Sequence, residues 1–223
     1  MTRSRFQSGL DELKDRLTEM SVKAERSVEL AVNAYLARDS QIAEEVFRLE
    51  RETNSAERSI DGLAIDLLAM QQPMAVDLRF VTACMKINAD LERVGDQAVN
   101  IAECALAEIN LPKLKLPADV GRMATTVGGM VRRALDSFFS ANAELAEAVL
   151  IMDDAVDRMN NDIFVSMASL MCSNPQAVDQ ALGAVIVARN LERVADHATN
   201  IAEDVIFWIK GTDVRHRAAQ EAS

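Results

Sequence analysis

The sequence predicts an all-α protein of two pseudo-symmetric three-helix bundles in tandem, with six helices formed by an internal duplication. The 223-residue chain holds 8 glycines, 4 prolines and 4% aromatic residues, a composition that suits long helices rather than sheets. Apolar residues recur at spacings of four and three, which is typical of helices in a left-handed bundle. Residues 90–103 and 190–203 are identical at 10 of 14 positions, which indicates a repeat.

The first half of the chain predicts three helices. The first spans about residues 6–37, where the four-three spacing of apolar residues is strict. Asp39 interrupts the pattern, and a second helix then runs to about Met70. The third begins near Pro73, because a missing amide hydrogen costs little at a helix start, and it reaches about Ile109.

The second half predicts the same three elements again. A fourth helix covers about residues 119–141 and a fifth about residues 143–171. The sixth opens at Pro175, which corresponds to the proline at the start of the third helix, and runs to about Lys210. Gly211 is a natural residue at which a helix ends.

These helices divide the chain into two domains. The first bundle takes residues 1–109 and the second takes residues 118–211. Residues 110–117 contain two prolines and no helical period, so we interpret them as a linker. Residues 212–223 are polar and aperiodic, and we expect a loose tail there.

Charge and composition limit the classes of partner. A net charge of −11 without any Lys/Arg-rich block repels a phosphate backbone, so nucleic acid is not expected as a ligand. Cationic partners and metal ions fit better. The 3 cysteines lack a C-x-x-C spacing, which suits free thiols in a reducing compartment. No apolar signal segment or membrane span is present, so we expect a cytoplasmic protein that meets a membrane only through its partners.

The repeated motif L-E-R-V-x-D-x-A-x-N-I-A-E places an acidic stripe on one face of a helix. At about 100° per residue, its polar members fall within an arc of about 80°, and its apolar members lie on the far side. A solvated face would normally mix lysines into such a stripe, but only oxygen ligands occur here. The stripe residues are Glu92, Asp96 and Asn100 in the first copy and Glu192, Asp196 and Asn200 in the second.

The second and fifth predicted helices carry matching stripes, Glu50, Asn54 and Glu57 in one and Asp153 and Asp157 in the other. If each lies beside the motif helix of its bundle, carboxylate and amide oxygens converge, as divalent or trivalent cations require. We therefore predict one metal site in each half, with iron and zinc as candidate ions. The alternatives are a solvated surface and a surface that faces a partner.

A metal-dependent enzyme or a metal-storage bundle is the alternative function. Di-iron enzymes of the helical-bundle type need Glu-x-x-His pairs, and neither His197 nor His216 stands three residues after a glutamate. No P-loop, nucleophile elbow, glycine-rich dinucleotide loop or H-E-x-x-H motif occurs. We therefore expect a protein that is not an enzyme.

These motifs resemble the signature of the PhoU family, and the likeness spans nearly the whole chain in the expected order. The second copy matches over residues 189–203 and ends at the family's usual stop near Gly211. The first copy matches at Asp77-Leu78-Arg79, Asp90-Leu91-Glu92-Arg93-Val94-Gly95-Asp96 and Asn100-Ile101-Ala102-Glu103.

The resemblance implies a negative regulator of the phosphate-starvation response and of phosphate uptake. Such proteins are adaptors, often homodimeric, that link the ATPase of a high-affinity phosphate importer to a sensor histidine kinase. In some members E/D-x-x-x-D motifs bind metal clusters, and the matching pairs here are Glu92-Asp96, Asp153-Asp157 and Glu192-Asp196. The pair Glu50-Asn54 departs from that pattern by one amide.

Overall fold

The described residues of the chain fold into six α-helices. A computed structural model describes residues 2–71, 74–112, 114–116 and 118–214, and no β-strand occurs among these residues. The helices are α1 (Thr2–Ala37), α2 (Ser40–Gln71), α3 (Val76–Glu108), α4 (Val120–Phe139), α5 (Ala143–Ser173) and α6 (Val178–Lys210). The predicted fold class and the number of helices are confirmed.

Helix boundaries differ from the predictions by a few residues where short turns intervene. The third helix begins at Val76 after Ala75, whose φ of 39° interrupts the helical path; Pro73, the predicted start, lies outside the described residues. A 3₁₀ turn at Pro175–Ala177 precedes α6, so that helix starts three residues later than predicted. Its end is as predicted: Gly211 has φ 68°, and its amide donates to the carbonyl of Phe207.

The two sharp helix junctions repeat each other. Arg38 between α1 and α2 has φ 59°, and Ala141 between α4 and α5 has φ 49°. An Asx residue then caps each following helix: Asp39 accepts hydrogen bonds from two backbone amides, and Asn142 does the same. Such caps satisfy amides that lack a partner inside the helix. The duplication therefore extends to backbone conformation.

Each bundle packs three helices around apolar positions that the heptad spacing predicts. In α1 the side chains of Leu13, Leu17 and Met20 are fully buried. In α4 the side chains of Met123 and Met130 are likewise fully buried. Buried residues of both bundles form one continuous apolar core, because α3 packs along α6 and α1 contacts α4.

The contact between α3 and α6 joins the two halves. The helices run antiparallel, and polar pairs bridge them at intervals along their length. Because the sum of the two residue numbers is 290 in each pair, the register is constant and a pseudo-two-fold axis passes near Gly95 and Ala195. The pairs are Lys86–Asp204 at 2.7 Å, Asp90–Asn200 at 3.3 Å and Asn100–Asn190 at 3.2 Å.

A half-buried network of hydrogen bonds holds the segment that follows α3 in place. Nη2 of Arg38 donates to Glu108 at 3.1 Å and to Gln180 at 2.6 Å. Nη1 of the same guanidinium donates to the carbonyl of Leu111 at 2.6 Å, and Gln180 also accepts from the amide of Leu114. Burial raises the pKa of Glu108, and the nearby guanidinium opposes that shift. The network holds the α1–α2 junction, α3, α6 and the connecting segment together.

None of the helices in the described residues combines the length and apolar character that a membrane crossing needs. The described part of the predicted tail, residues 212–214, is not helical. The remaining tail residues, 215–223, lie outside the described part of the chain.

Substitution of Gly183 by alanine should destabilise the protein. A Cβ there would overlap Oε1 of Glu108, a buried side chain whose Oε2 pairs with Arg38, so the carboxylate has to move and that ion pair is disturbed. We expect a loss of about 1–3 kcal/mol in the free energy of unfolding, measured by urea denaturation.

Gly129→Ala is the matched control. Nothing lies within 4 Å of a Cβ at Gly129, and this helical residue is exposed. Removal of a helical glycine should stabilise by about 0.5–1 kcal/mol. Equal effects of the two substitutions would show that Glu108 is not fixed in place.

Candidate metal centres

The acidic stripes lie on two pairs of neighbouring helices, α2 with α3 and α5 with α6. In the repeated motif Leu91, Val94 and Ala98 are fully buried, which turns Glu92 and Asp96 toward the outer face of the bundle. The second copy has the same burial pattern at positions 191, 194 and 198. The helical period of the motif therefore places carboxylates at the groove between paired helices.

The first cluster brings together Glu50, Glu57, Glu92 and Asp96. Burial raises the pKa of Glu92, and the neighbouring charges of Asp96, Glu57 and Glu50 raise it further. Arg93 opposes the shift. Asn54, another predicted ligand of this half, donates its amide to Glu50. The structure thus places the predicted residues of α2 next to those of α3.

The second cluster brings together Asp153, Asp157, Glu192 and Asp196. Burial, followed by the charges of Asp157 and Asp196, raises the pKa of Asp153 from 3.8 to about 6. Burial and the neighbouring carboxylates also raise the pKa of Asp196. Carboxylates of α5 and α6 therefore repel one another across the groove, and a bound cation would relieve that repulsion.

The two carboxylate oxygens of Glu192, in the second cluster, differ in their hydrogen bonding. Its Oε1 accepts from Arg189 at 2.8 Å, whereas its Oε2 is buried and accepts no hydrogen bond in the described part of the chain. Burial raises the pKa of this carboxyl, and the charge of Arg189 opposes the shift. A buried oxygen with an open lone pair is suited to an additional donor or to a metal ion.

Asn100 and Asn200 face the other half of the molecule. The amide of Asn100 donates to Asn190, and that of Asn200 donates to Asp90. Asp90 also lies 2.8 Å from Nδ1 of His197. These two asparagines therefore contribute to the α3–α6 contact, although both were predicted from their stripe positions as ligands.

The side chains of the two clusters are of types that bind metal ions. Their positions, however, do not surround a common point. Carboxylate oxygens suit hard and intermediate cations. Burial and neighbouring carboxylates raise the pKa of Asp153, and Oε2 of Glu192 accepts no hydrogen bond within the described residues. However, within the described residues no three Asp, Glu, His or Cys side chains converge as they would around an ion. Coordination therefore requires the side chains to rotate toward a common point.

Two contacts near the clusters were missed by the sequence reasoning. Arg189 forms the ion pair beside the second motif; its position three residues before Glu192 is the signal for that pair. The pairing of Asp90 with His197 spans 107 residues and depends on how the halves dock. No local pattern indicates that distance.

The fold and the site define a class: tandem three-helix repeats, each with a carboxylate cluster on a pair of neighbouring helices. A family model described as the PhoU domain matches the chain twice, over residues 17–105 and 120–205. The chain belongs to the PhoU family. The repeated match agrees with the duplication that the sequence predicts.

Relatives and solved structures cover nearly the whole chain. A phosphate-specific transport system accessory protein PhoU homolog of Pseudomonas aeruginosa is 36% identical over 95% of this chain and 88% of its own length. One of Clostridium acetobutylicum is 33% identical over 96% and 98%. The crystal structure of PhoU from Pseudomonas aeruginosa matches with a TM-score of 0.89 and 35% identity over 93% and 100% of the two chains. A phosphate transport system regulatory protein PhoU from Streptococcus pneumoniae has a TM-score of 0.86 and 25% identity over 94% and 99%.

Asp153→Asn should stabilise the protein only at higher pH. The raised pKa means that the native state holds the proton more tightly than the unfolded chain, so ionisation costs stability. That cost grows as the pH rises from about 4 to about 6 and is complete above that range. With a discount for solvent screening we expect the variant to gain on the order of 1 kcal/mol above pH 6 and nothing below pH 4.

The measurement is urea denaturation across this pH range in the presence of a chelator. The exposed Asp154, which contributes least to the shift, provides the control variant Asp154→Asn. An effect of Asp153→Asn that does not change with pH would contradict the electrostatic account.

Proposed function

We propose that this chain is an accessory protein of a phosphate-specific transport system and a negative regulator of phosphate uptake and of the phosphate-starvation response. The observation that carries the proposal is the match to proteins of that name over nearly the whole chain, with both copies of the acidic motif included. The solved relative from Streptococcus pneumoniae is likewise named a regulatory protein of phosphate transport.

In this proposal the protein acts as an adaptor and not as a catalyst. The protein couples the ATPase of the phosphate importer to a sensor histidine kinase, acts as a homodimer in the cytoplasm, and reaches the membrane only through these partners. Two helical bundles with a net charge of −11 offer acidic surfaces for basic regions of partner proteins. That charge supports a docking role.

The proposal includes one metal ion or cluster in each half, of divalent or trivalent ions such as iron or zinc. Glu50, Glu57, Glu92 and Asp96 would hold it in the first half, and the second carboxylate cluster would hold it in the other. A bound cation supplies positive charge that relieves the repulsion among these carboxylates and ties two helices together. The raised pKa values of Glu92 and Asp153 support this role.

A metal-dependent enzyme or a metal-storage protein is the less well-supported alternative. Of the two histidines, His197 lies against Asp90 in the contact between the halves, which leaves its ring directed at a carboxylate of the opposite half. Nothing in the two clusters supplies an imidazole ligand of the kind that helical-bundle oxygenases use.

Loss of carboxylates from both motifs should abolish metal binding. We expect the double variant Asp96→Asn/Asp196→Asn to contain much less iron or zinc than the wild type, measured by elemental analysis of the purified proteins. Asp66→Asn/Asp162→Asn removes the same charge from exposed positions outside both clusters and should retain the metal. Equal metal content in the wild type and the first double variant would contradict the proposal.

Deletion of the gene should release the phosphate-starvation response at high phosphate. We expect alkaline phosphatase activity and importer expression to rise in the deletion strain and to return to the repressed level when the wild-type gene is restored. Continued repression in the deletion strain would count against the regulatory function.

A further inference from the structure

A groove of about 780 Å³ runs between α1 and α4, two helices that contribute no residue to either carboxylate cluster. Glu25 and Arg132 form an ion pair across it at 3.3 Å. Leu36 lies 3.7 Å from the position that a Cβ would take at Gly121. The residue numbers of both pairs sum to 157, so the two helices run antiparallel in a constant register. We call this surface the α1–α4 groove.

The two walls of the α1–α4 groove differ in shape. On the α1 wall the apolar side chains of Val22 and Leu36 project and are 61% and 47% exposed. On the α4 wall Gly128 lines the groove, and among the described residues no neighbouring side chain or helix lies within 4 Å of a Cβ built there. The α1 wall therefore projects, whereas the α4 wall is hollow.

The fold itself does not require the hollow in α4. The two matches to the family model begin at residues 17 and 120, so α1 and α4 correspond at an offset of 103. At that offset Glu25 of α1 stands where α4 has Gly128. A glycine inside a helix also destabilises that helix relative to alanine. Packing within one copy of the chain therefore does not explain the hollow.

Charge favours a second copy of the chain as the occupant of the α1–α4 groove. Two acidic residues, Glu25 and Glu29, and two basic residues, Arg26 and Arg132, line it. This surface is therefore neutral on a chain of net charge −11, and two copies meet here with little repulsion. A strongly basic or acidic partner finds no excess of opposite charge in the groove, and the net charge repels an anionic lipid surface.

A two-fold axis parallel to the helices makes the two walls complementary in shape. Rotation about such an axis leaves each residue at its height and sets α1 of one copy over α4 of the other. Residues whose numbers sum to 157 then also face each other between copies. Leu36 of one copy lies over Gly121 of the other, and Glu29 lies over Gly128, so projections meet hollows.

The same axis makes the charges complementary. Glu25 of each copy lies over Arg132 of the other, so the four charges alternate in sign around a square. The side chain of Arg132 is 73% exposed, which leaves it able to reach a second carboxylate besides its own Glu25. An axis across the helices would instead set α1 over α1, with Glu25 and Glu29 of the two copies together, which costs free energy.

We propose that the α1–α4 groove is the interface of a homodimer in which α1 of each copy packs on α4 of the other. This proposal rests on the homodimeric adaptor proposed above and assigns its dimer surface. Both carboxylate clusters stay outside the interface, because they lie between other pairs of helices.

A side chain placed in the hollow should weaken the dimer. Association of the intact protein is measured by sedimentation equilibrium over a range of concentrations in the presence of a chelator. We expect the wild type to dimerise and Gly128→Leu to dimerise at least about tenfold more weakly, because leucine fills the space that Glu29 of the other copy needs. Gly62→Leu is the matched control, since Gly62 is an exposed glycine inside α2 with open space around a Cβ.

Three outcomes of this experiment would overturn the proposal: a monomeric wild type, equal association of the wild type and Gly128→Leu, and an equal loss in Gly62→Leu. Circular dichroism and urea denaturation check that both variants fold. Both substitutions remove a helical glycine into open space, so neither should destabilise the monomer.

Charge exchange tests whether α1 lies over α4. Arg132→Glu sets two carboxylates together between copies, and Glu25→Arg sets two guanidinium groups together, so each variant alone should dimerise about tenfold more weakly. A mixture of the two should associate again, because opposite charges then face each other at both contacts. Arg133→Glu changes the charge equally at a neighbouring exposed residue outside the groove lining and should dimerise like the wild type. A mixture that stays monomeric would overturn the arrangement.

Complementation of the deletion strain separates the interface from the function on which it rests. We expect the wild type and Gly62→Leu to restore repression, and Gly128→Leu to restore it less well. Full repression by a monomeric Gly128→Leu would remove the homodimer from the proposed function and leave the interface as sedimentation assigns it. If the wild type does not restore repression, the regulatory function fails, and sedimentation still decides whether the groove is a dimer interface.

Discussion

The antiparallel contact between α3 and α6 is the constraint on which the other features depend. Apolar residues of the repeated motif are buried along it, and polar pairs such as Asn100–Asn190 fix its register. A polar group that loses its partner in such a contact costs free energy. A shift of α6 by one turn along α3 would therefore destabilise the contact at every pair. The outward positions of Glu92 and Glu192 follow directly from this fixed orientation.

Sequence patterns within single helices explain which parts of the fold could be predicted. Heptad spacing in α1 and the repeated motif of α3 and α6 determine which residues are buried, and both patterns can be counted in one sequence. The start of α3 was not predictable, because no side-chain cap or other recognisable sequence signal marks the turn at Ala75, whose φ is 39°. The sequence places residues on helix faces but does not state which helices adjoin.

The candidate site was predictable to the same extent. Carboxylates of α2 with α3, and of α5 with α6, lie together as their stripes predicted. Asn100 and Asn200 share those stripes at the edge of the arc, and that small rotation is enough to direct them to the opposite half. A helical wheel cannot distinguish a ligand from an interface residue when the two differ by a fraction of a turn, because the neighbouring helix decides.

The pseudo-two-fold axis near Gly95 and Ala195 has a consequence for the origin of the chain. Two copies of a single three-helix bundle, related by that axis, would form an isologous homodimer through equivalent faces of their third helices. Joining the two copies through residues 110–117 turns that dimer into one polypeptide, and its association no longer depends on concentration. The two halves could then diverge, which the identical subunits of a homodimer cannot do: His197 contacts Asp90, whereas the first copy of the motif has Gln97 at the equivalent position.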